Sequence, residues 1–336
     1  MCWMPRGYRQ IDVSKQICSS TSNLTVFFST LEKRYDPDIK GRVKTRHIRE
    51  KVEKALGGKP HSGSHLDLLR LSLAPNPSRD PSHPLTCRIV TTNFDLLFED
   101  AWRLEFGTAP VSFDARMAPR PGAHNFEGVI HLHGALSDSG AIASNYILSS
   151  RDFARVYLRS GVIGNYIYDL IRRYTLVLIG YSADDPPMRY LMDAIGEDAS
   201  LFDDMKTPYA ITDLGSGSIE GIEQAVWRSK EISAVFYHRR AGPAPFAPLW
   251  ESIHMWADWA RDPTNWIETQ LETHTAGKYQ DATPFQQAFV QDLLSVLDRE
   301  ELARAIAYLN KQKVDFSWIN AVYAAIEATK TDLSAA

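Results

Sequence analysis

The sequence is poor in cysteine and has no long apolar run. Three cysteines, Cys2, Cys18 and Cys87, are scattered through 336 residues. This odd number cannot form a disulfide framework or a four-cysteine zinc site, and it favours a reducing compartment. The amino terminus, "MCWMPRGYRQ", lacks the apolar core of a signal peptide. No segment reaches the roughly 18 apolar residues that a membrane-spanning helix needs. We therefore expect a cytoplasmic protein that does not enter a membrane.

The sequence also lacks an excess of charge of one sign. Its formal net charge is −4, with 44% hydrophobic and 23% charged residues. This balance is typical of a globular protein, and nothing in it favours nucleic acid or an anionic membrane as a partner. The segment "GGKPHSGS" contains glycine and lysine without the spacing of a phosphate-binding loop.

Short apolar runs alternate with helical patterns over residues 86–240. The runs are "CRIVTT", "GVIHLHG", "SNYILSS", "TLVLIGYS", "PYAITD" and "ISAVFYH". Alternating strands and helices predict an α/β, Rossmann-like fold with a mostly parallel sheet and helices on both faces. The nearly continuous apolar runs at 129–132 and 176–179 indicate strands that are buried on both sides.

Helical patterns precede and follow this predicted core. We expect a helical part at residues 1–85, with a Pro/Ser-rich connector at 74–84, and a helical region at 241–336. The capping-box spacing of Ser149 and Asp152 predicts a helix beginning after Ser149. The aromatic stripes of the last region, at three-to-four spacing, are typical of core packing.

Polar residues are placed where three of the predicted strands end. In an open α/β sheet, ligands bind beyond the carboxyl ends of the strands. The residues at these ends are Thr92, Asn93 and Asp95, then His131, His133 and Gly134, and then Gly180, Tyr181, Ser182 and Asp184.

Structural interpretations of the same residues remain open. Asp95 and Asp184 could cap helices, and Asn93 could hold a tight turn through its side chain. We favour His131 as a hydrogen-bonded structural histidine. A His-x-His metal site would need further ligands, and the sequence offers no obvious set.

Three motifs, "TTNFD", "HLHG" and "LVLIGYSADDP", resemble those of the sirtuin-like family in order and spacing. The residues that correspond to family motifs are Thr91, Asn93 and Asp95, then His133 and Gly134, and then Gly180 and Ser182. The "GYSADDP" and "YILSSRDF" segments are similar to a bacterial branch whose members consume NAD, often in defence against phage. The resemblance covers roughly residues 87–240.

The resemblance implies an NAD glycohydrolase that cleaves the nicotinamide N-glycosidic bond. It makes His133 the base that acts on water or a ribose hydroxyl, and Asn93 the group that positions that water or the ribose. It implies that Thr92, Asp95, Gly134, Gly180 and Ser182 contact NAD, which is the substrate. Because the paired Cys-x-x-Cys ribbon of sirtuin deacylases is absent, we expect no zinc.

One family motif is missing, and it keeps an alternative open. The family begins with a Gly-Ala-Gly-x-Ser turn that wraps the NAD pyrophosphate, and no such turn precedes Leu24. We expect that either the reading frame begins too late or the first nucleotide-binding strand has been lost. A module that binds NAD or ADP-ribose without cleaving it is therefore the second hypothesis, and protein deacylation is the third. The carboxy-terminal helices could regulate, form a homo-oligomer, or contact a phage or defence protein.

Overall fold

The computed structural model describes part of the chain, in two compact units. The described residues are 28–30, 46–56, 63–75, 85–108, 110–136, 146–180, 196, 206–215, 217–321 and 323. The units are Met1–Ile253 and His254–Ala336. No helix in the described ranges is both long and apolar enough to cross a membrane.

The first unit contains alternating strands and helices. In chain order its elements are α1 (Arg46–Leu56), α2 (Gly63–Ser72), β1 (Ala74–Pro75), β2 (Leu85–Thr86), β3 (Arg88–Thr91), α3 (Leu97–Phe106), β4 (Ser112–Asp114), β5 (Gly128–His131), α4 (Ser150–Phe153), a π-helix (Ala154–Arg159), α5 (Val162–Arg173), β6 (Val177–Ile179), β7 (Tyr209–Leu214), α6 (Glu220–Arg228) and β8 (Ser233–His238).

The strands of this unit are mostly parallel. In the described ranges they form two three-stranded parallel sheets, ordered β3-β5-β4 and β6-β7-β8, and an antiparallel pair, β1-β2. The register pairs Thr91 of β3 and Asp114 of β4 with His131 of β5, so all three strands end at one edge. The predicted α/β, Rossmann-like class with a parallel sheet is confirmed.

The predicted burial of the two apolar strands is confirmed for one of them. Residues 129–132, which include most of β5 and the residue after it, are 0–6% exposed, because β5 lies between β3 and β4. Val177 of β6 is 42% exposed, so the prediction that residues 176–179 are buried on both sides was wrong for this residue. Its strand is at the edge of the sheet as far as the described residues show, and an edge strand has fewer neighbours to cover it.

One predicted strand is absent in the described residues, and three short strands were not predicted. The described part of "SNYILSS", residues 146–149, is buried but irregular and leads directly into α4. The capping box there is confirmed, because the Asp152 carboxylate accepts the Ser149 backbone N–H at 3.2 Å. The unpredicted strands are β4, in which Ser112, Phe113 and Asp114 are paired, and the two-residue strands β1 and β2, of which β1 lies in the predicted connector.

The second unit is helical. The boundary between the units falls within α7 (Ala247–Arg261). The elements that follow are α8 (Pro263–His274), a 3₁₀ turn (Tyr279–Asp281), α9 (Pro284–Val296) and α10 (Arg299–Lys311). Its core includes Leu271, Val290, Leu309 and Trp318, each 0–1% exposed. The aromatic residues of this region do not all pack inside, since Phe285 is 67% exposed and Trp256 is 43% exposed.

Candidate functional site

The ends of β3 and β5 bring two polar loops together. Because Thr91 and His131 are register partners in parallel strands, the residues that follow them leave the sheet side by side. Backbone hydrogen bonds tie the two loops. Leu132 N–H donates to Thr91 C=O at 2.8 Å, and Leu136 N–H donates to Phe94 C=O at 2.7 Å. The sheet edge therefore carries both of the motifs that contain Asn93 and His133.

Asn93 lies in a tight turn with its side chain exposed. Its N–H donates to Thr91 Oγ1 at 3.1 Å, and its C=O accepts a hydrogen bond from His131 Nδ1 at 3.0 Å. The backbone of Asn93 is thus held on both sides, while the residue is exposed. The neighbouring Thr92 is half-buried.

Asp95 lies just before α3 rather than at its first residue. Its Oδ1 accepts the Leu97 N–H at 3.4 Å, a long hydrogen bond at the helix start. The N-cap is Leu96, so Asp95 lies one residue before the position expected of a capping residue.

His131 is fully buried and forms hydrogen bonds with both ring nitrogens. Nε2 lies 2.9 Å from Glu99 Oε1 on α3, and Nδ1 contacts the Asn93 carbonyl. Burial alone would lower the pKa of His131, but the Glu99 carboxylate outweighs it and the pKa is raised. Burial likewise opposes ionisation of Glu99, yet the His131 contact lowers its pKa. The contact therefore favours the charged forms of both groups, an imidazolium and a carboxylate.

His133 has different surroundings, although it is only two residues away. Its ring packs edge-on against Phe153, and Nε2 lies 2.8 Å from the hydroxyl of Tyr157. Because burial disfavours the charged ring, the pKa of His133 is lowered to about 4. The imidazole is consequently neutral at neutral pH. Tyr157 belongs to the π-helix, a rare element that is frequent at functional sites.

Gly134 has a backbone conformation that disfavours any side chain. Its φ angle is +81°, and an added Cβ would lie 3.0 Å from Tyr146 Cα and 3.3 Å from Asp114 Oδ2. The glycine lets the chain turn at once after His133. At the end of β6, Gly180 also has a positive φ, +68°, and the space above its Cα is open. Ser182 and Asp184 lie outside the described residues.

A cavity of about 790 Å³ opens at the same edge of the β3-β5-β4 sheet. Its charged and polar lining includes Glu99, Arg103, Ser112, Asp114, Arg116 and His131. Asn93 and His133 are not among the described residues that line it. The structure thus joins His131 to Glu99 at the cavity, and places His133 on the aromatic side of the same loop.

A buried ion pair supports the segment that follows this site. Arg49 of α1 donates to Asp152 Oδ2 at 2.5 Å and also donates to the Tyr146 carbonyl. The Tyr146 hydroxyl in turn donates to the Arg49 carbonyl at 2.8 Å. Arg49 is 1% exposed. These contacts fix α1 against residues 146–152, beside Gly134.

The sequence analysis missed several of these residues. Glu99 carries a usable signal, since it is an acid on the same helix as the buried Phe98, Ala101 and Trp102. A carboxylate within such an apolar stripe needs a partner. Tyr157 and Arg49 carry no such signal, because an amphipathic helix often contains tyrosine and arginine at positions that stay exposed.

The fold is that of an α/β protein with a parallel, Rossmann-like sheet, and its polar residues lie at the edge where ligands bind in open α/β sheets. Residues 88–235 match the family described as SIR2-like domain, so this part of the chain is a sirtuin-like domain. The family implies NAD as its ligand. Within the described ranges, no group of three or more His, Cys, Asp or Glu residues could hold a metal ion.

A relative with a longer chain matches more of the sequence. The chain is 30% identical over 243 residues to an uncharacterized protein, y4cA, of Sinorhizobium fredii. The match covers 68% of this chain and 19% of that protein, so the chain spans about a fifth of the length of its curated relative.

Proposed function

We propose that the protein is a cytoplasmic NAD glycohydrolase that releases nicotinamide. The observation that carries this proposal is the register of β3 and β5, which starts the Asn93 and His133 loops at neighbouring points of one sheet edge. The SIR2-like match over both loops supports NAD as the substrate.

The reaction requires a nucleophile but no acid for the leaving group. The nicotinamide nitrogen of NAD is cationic. When its bond to ribose C1′ breaks, the electron pair neutralises that nitrogen. Water then bonds to C1′ and loses a proton, so the products are nicotinamide and ADP-ribose. The protein has to orient this water and accept its proton.

His133 suits the role of proton acceptor because its ring is neutral. In our proposal Nε2–H donates to the Tyr157 oxygen, which leaves the lone pair of Nδ1 to accept the proton. Asn93 offers an exposed carboxamide on a fixed backbone, and this group would hold the water or the ribose. Thr92, Asp95, Gly134, Gly180 and Ser182 would contact NAD, with the open space above Gly180 admitting a ligand close to the backbone.

The test is release of free nicotinamide from NAD by the purified chain. We expect release by the unchanged protein, and a loss of at least 100-fold in His133→Ala and in Asn93→Ala, as is usual for acid–base groups. The exposed neighbours His124 and Asn125 provide matched controls, and His124→Ala and Asn125→Ala should keep the parent rate. Equal rates in all five proteins would contradict the assignments.

A sensor that binds NAD or ADP-ribose without cleavage is the second candidate. It is favoured by the absence of His133 and Asn93 from the described lining of the cavity. Tight binding of NAD without nicotinamide release would support it. Protein deacylation, the third hypothesis, requires that nicotinamide release depend on an acylated peptide.

A role in defence against phage rests only on the resemblance to the bacterial branch. We expect cells that express the chain to lower phage plating, and cells with His133→Ala to lose that effect. Equal plating on both strains would argue against it. The predicted domain limits, the lack of zinc and an oligomeric or phage-protein partner stay predictions.

A further inference from the structure

Glu99, His131 and the Asn93 carbonyl form a continuous chain of contacts, in which the His131 and Glu99 side chains are buried. Ser112 Oγ donates to Glu99 Oε1 at 2.6 Å, Glu99 Oε1 lies 2.9 Å from His131 Nε2, and His131 Nδ1 lies 3.0 Å from the Asn93 oxygen. The side chains of His131 and Glu99 are 0% and 4% exposed. The chain joins α3, β4 and β5 to the turn that holds Asn93.

The direction of each hydrogen bond follows from the charges. With the ring protonated, both nitrogens donate, Nε2–H to the Glu99 carboxylate and Nδ1–H to the Asn93 carbonyl. Two other carboxylates act on the ring from adjacent elements, Asp95 before α3 and Asp114 at the end of β4. All three acids favour the form in which the bond to Asn93 is charge-assisted.

A buried ion pair adds little to the stability of the fold by itself, because desolvation of both charges opposes folding. It does fix the orientation of the His131 ring, since hydrogen bonds at both ring nitrogens hold the plane of the ring. The Asn93 backbone is thereby fixed on the side opposite the Thr91 contact.

We propose that the Glu99–His131 pair is a positioning pair, which holds the Asn93 carboxamide in place without touching the substrate. The kinetic part of this inference rests on the proposed NAD cleavage. The structural part does not depend on it, because the order of the Asn93 turn can be measured in the absence of any substrate.

Two substitutions of His131 separate its two hydrogen bonds. The amide nitrogen of asparagine can occupy the place of Nδ1, so His131→Asn keeps a donor for the Asn93 carbonyl. The longer glutamine places its amide near Nε2, so His131→Gln keeps the contact with Glu99 and loses the one with Asn93. A purely structural histidine would not distinguish these two variants.

The first measurement is hydrogen exchange of the backbone amides of residues 92–96 in the full chain. We expect exchange about tenfold faster in His131→Gln, and within about threefold of the parent in His131→Asn. Equal exchange in the two variants, or the reverse order, would overturn the proposal whether or not the protein cleaves NAD.

The second measurement is steady-state nicotinamide release. We expect kcat to fall at least tenfold in His131→Gln with KM unchanged within about twofold, and kcat to stay near the parent value in His131→Asn. A rise in KM with an unchanged kcat would overturn the positioning role. If the parent protein releases no nicotinamide, the proposed function fails, and the exchange result alone decides this inference.

A variant of Glu99 serves if the His131 variants do not fold. Glu99→Gln removes the carboxylate that fixes the ring, and Asp100→Asn is its control on the exposed face of the same helix. We expect exchange at 92–96 about threefold faster in Glu99→Gln alone. Parent-like exchange in Glu99→Gln would overturn the proposal.

Discussion

His131 and His133 show how two residues of one motif acquire opposite shifts in pKa. Both are buried, but His131 faces a carboxylate and His133 faces Phe153 and Tyr157. The pKa of the first is raised, and that of the second is lowered to about 4. The sequence predicts that two such histidines lie at a strand end. It does not show their partners, because Glu99 and Tyr157 are 32 and 24 residues away along the chain.

The neutral His133 makes stability depend on pH. Its pKa is about 4 in the folded chain, against an ordinary 6.5. Between these values the unfolded chain binds a proton that the folded chain does not, so the unfolding free energy falls as pH drops from 6.5 to 4. Between pH 6.5 and 4 we expect the unfolding free energy of the parent to fall by about 3 kcal/mol more than that of His133→Phe, as measured by urea unfolding.

The control for this pH dependence is His124→Phe. Because His124 is exposed, its removal should leave the slope of unfolding free energy against pH the same as in the parent protein. Parallel slopes for the parent and His133→Phe would show that His133 is not buried as a neutral ring.

Gly134 gives a second prediction at the scale of one residue. Gly134→Ala places a Cβ 3.0 Å from Tyr146 Cα in a left-handed backbone conformation. We expect a loss of about 2 kcal/mol in the unfolding free energy, and slower nicotinamide release because His133 is adjacent. The matched control is Gly107→Ala, which has a φ of +69° but open space around its Cβ, and should cost less. Equal losses would show that crowding is unimportant.

At the scale of elements, the success of sequence patterns depended on what each element contacts. β3 and β5 were predictable because apolar side chains cover both faces of β5 and the polar residues begin where it ends. The helix after Ser149 was predictable from a local motif, the capping box. β4 and residues 146–149 were not, because β4 has three residues and 146–149 are buried by contacts with distant parts of the chain.

The Arg49–Asp152 pair is one such distant contact, and its removal should be costly. Asp152→Asn leaves the buried guanidinium without this carboxylate and weakens the capping box. We expect the unfolding free energy to fall by about 3 kcal/mol. Asp100→Asn, in an exposed pair on α3, should change it by less than about 1 kcal/mol. Thermal or chemical unfolding of both variants tests the difference, and similar values would contradict it.

At the scale of the whole chain, the sequence predicted helices in the last region more reliably than their buried faces. Helices lie where the pattern predicted them, and Leu293 of α9 is buried as expected, whereas Val296 of the same predicted stripe is 77% exposed. Spacing identifies a stripe of apolar residues, but it does not say which part of the stripe is covered. Phe285 belongs to the pattern and is nevertheless exposed.

Ligand binding gives a prediction for the whole chain, since a ligand that binds only the folded state raises its stability. We expect ADP-ribose at about 100 times its Kd to add about 2.7 kcal/mol. The midpoint of thermal unfolding should therefore rise. ADP-ribose should have the same effect on His133→Ala if His133 acts in the chemical step. No rise with ADP-ribose or NAD in either protein would argue against both the glycohydrolase and the sensor.

The pairing of Thr91 with His131 has a consequence for how such a chain can change. A single residue added or removed inside either strand would turn the side chains that follow to the opposite face of the sheet. Insertions directly after the strands would instead separate the Asn93 and His133 loops, which backbone hydrogen bonds hold together. The spacing within the two strands and at their ends is therefore the part of the sequence least open to insertion.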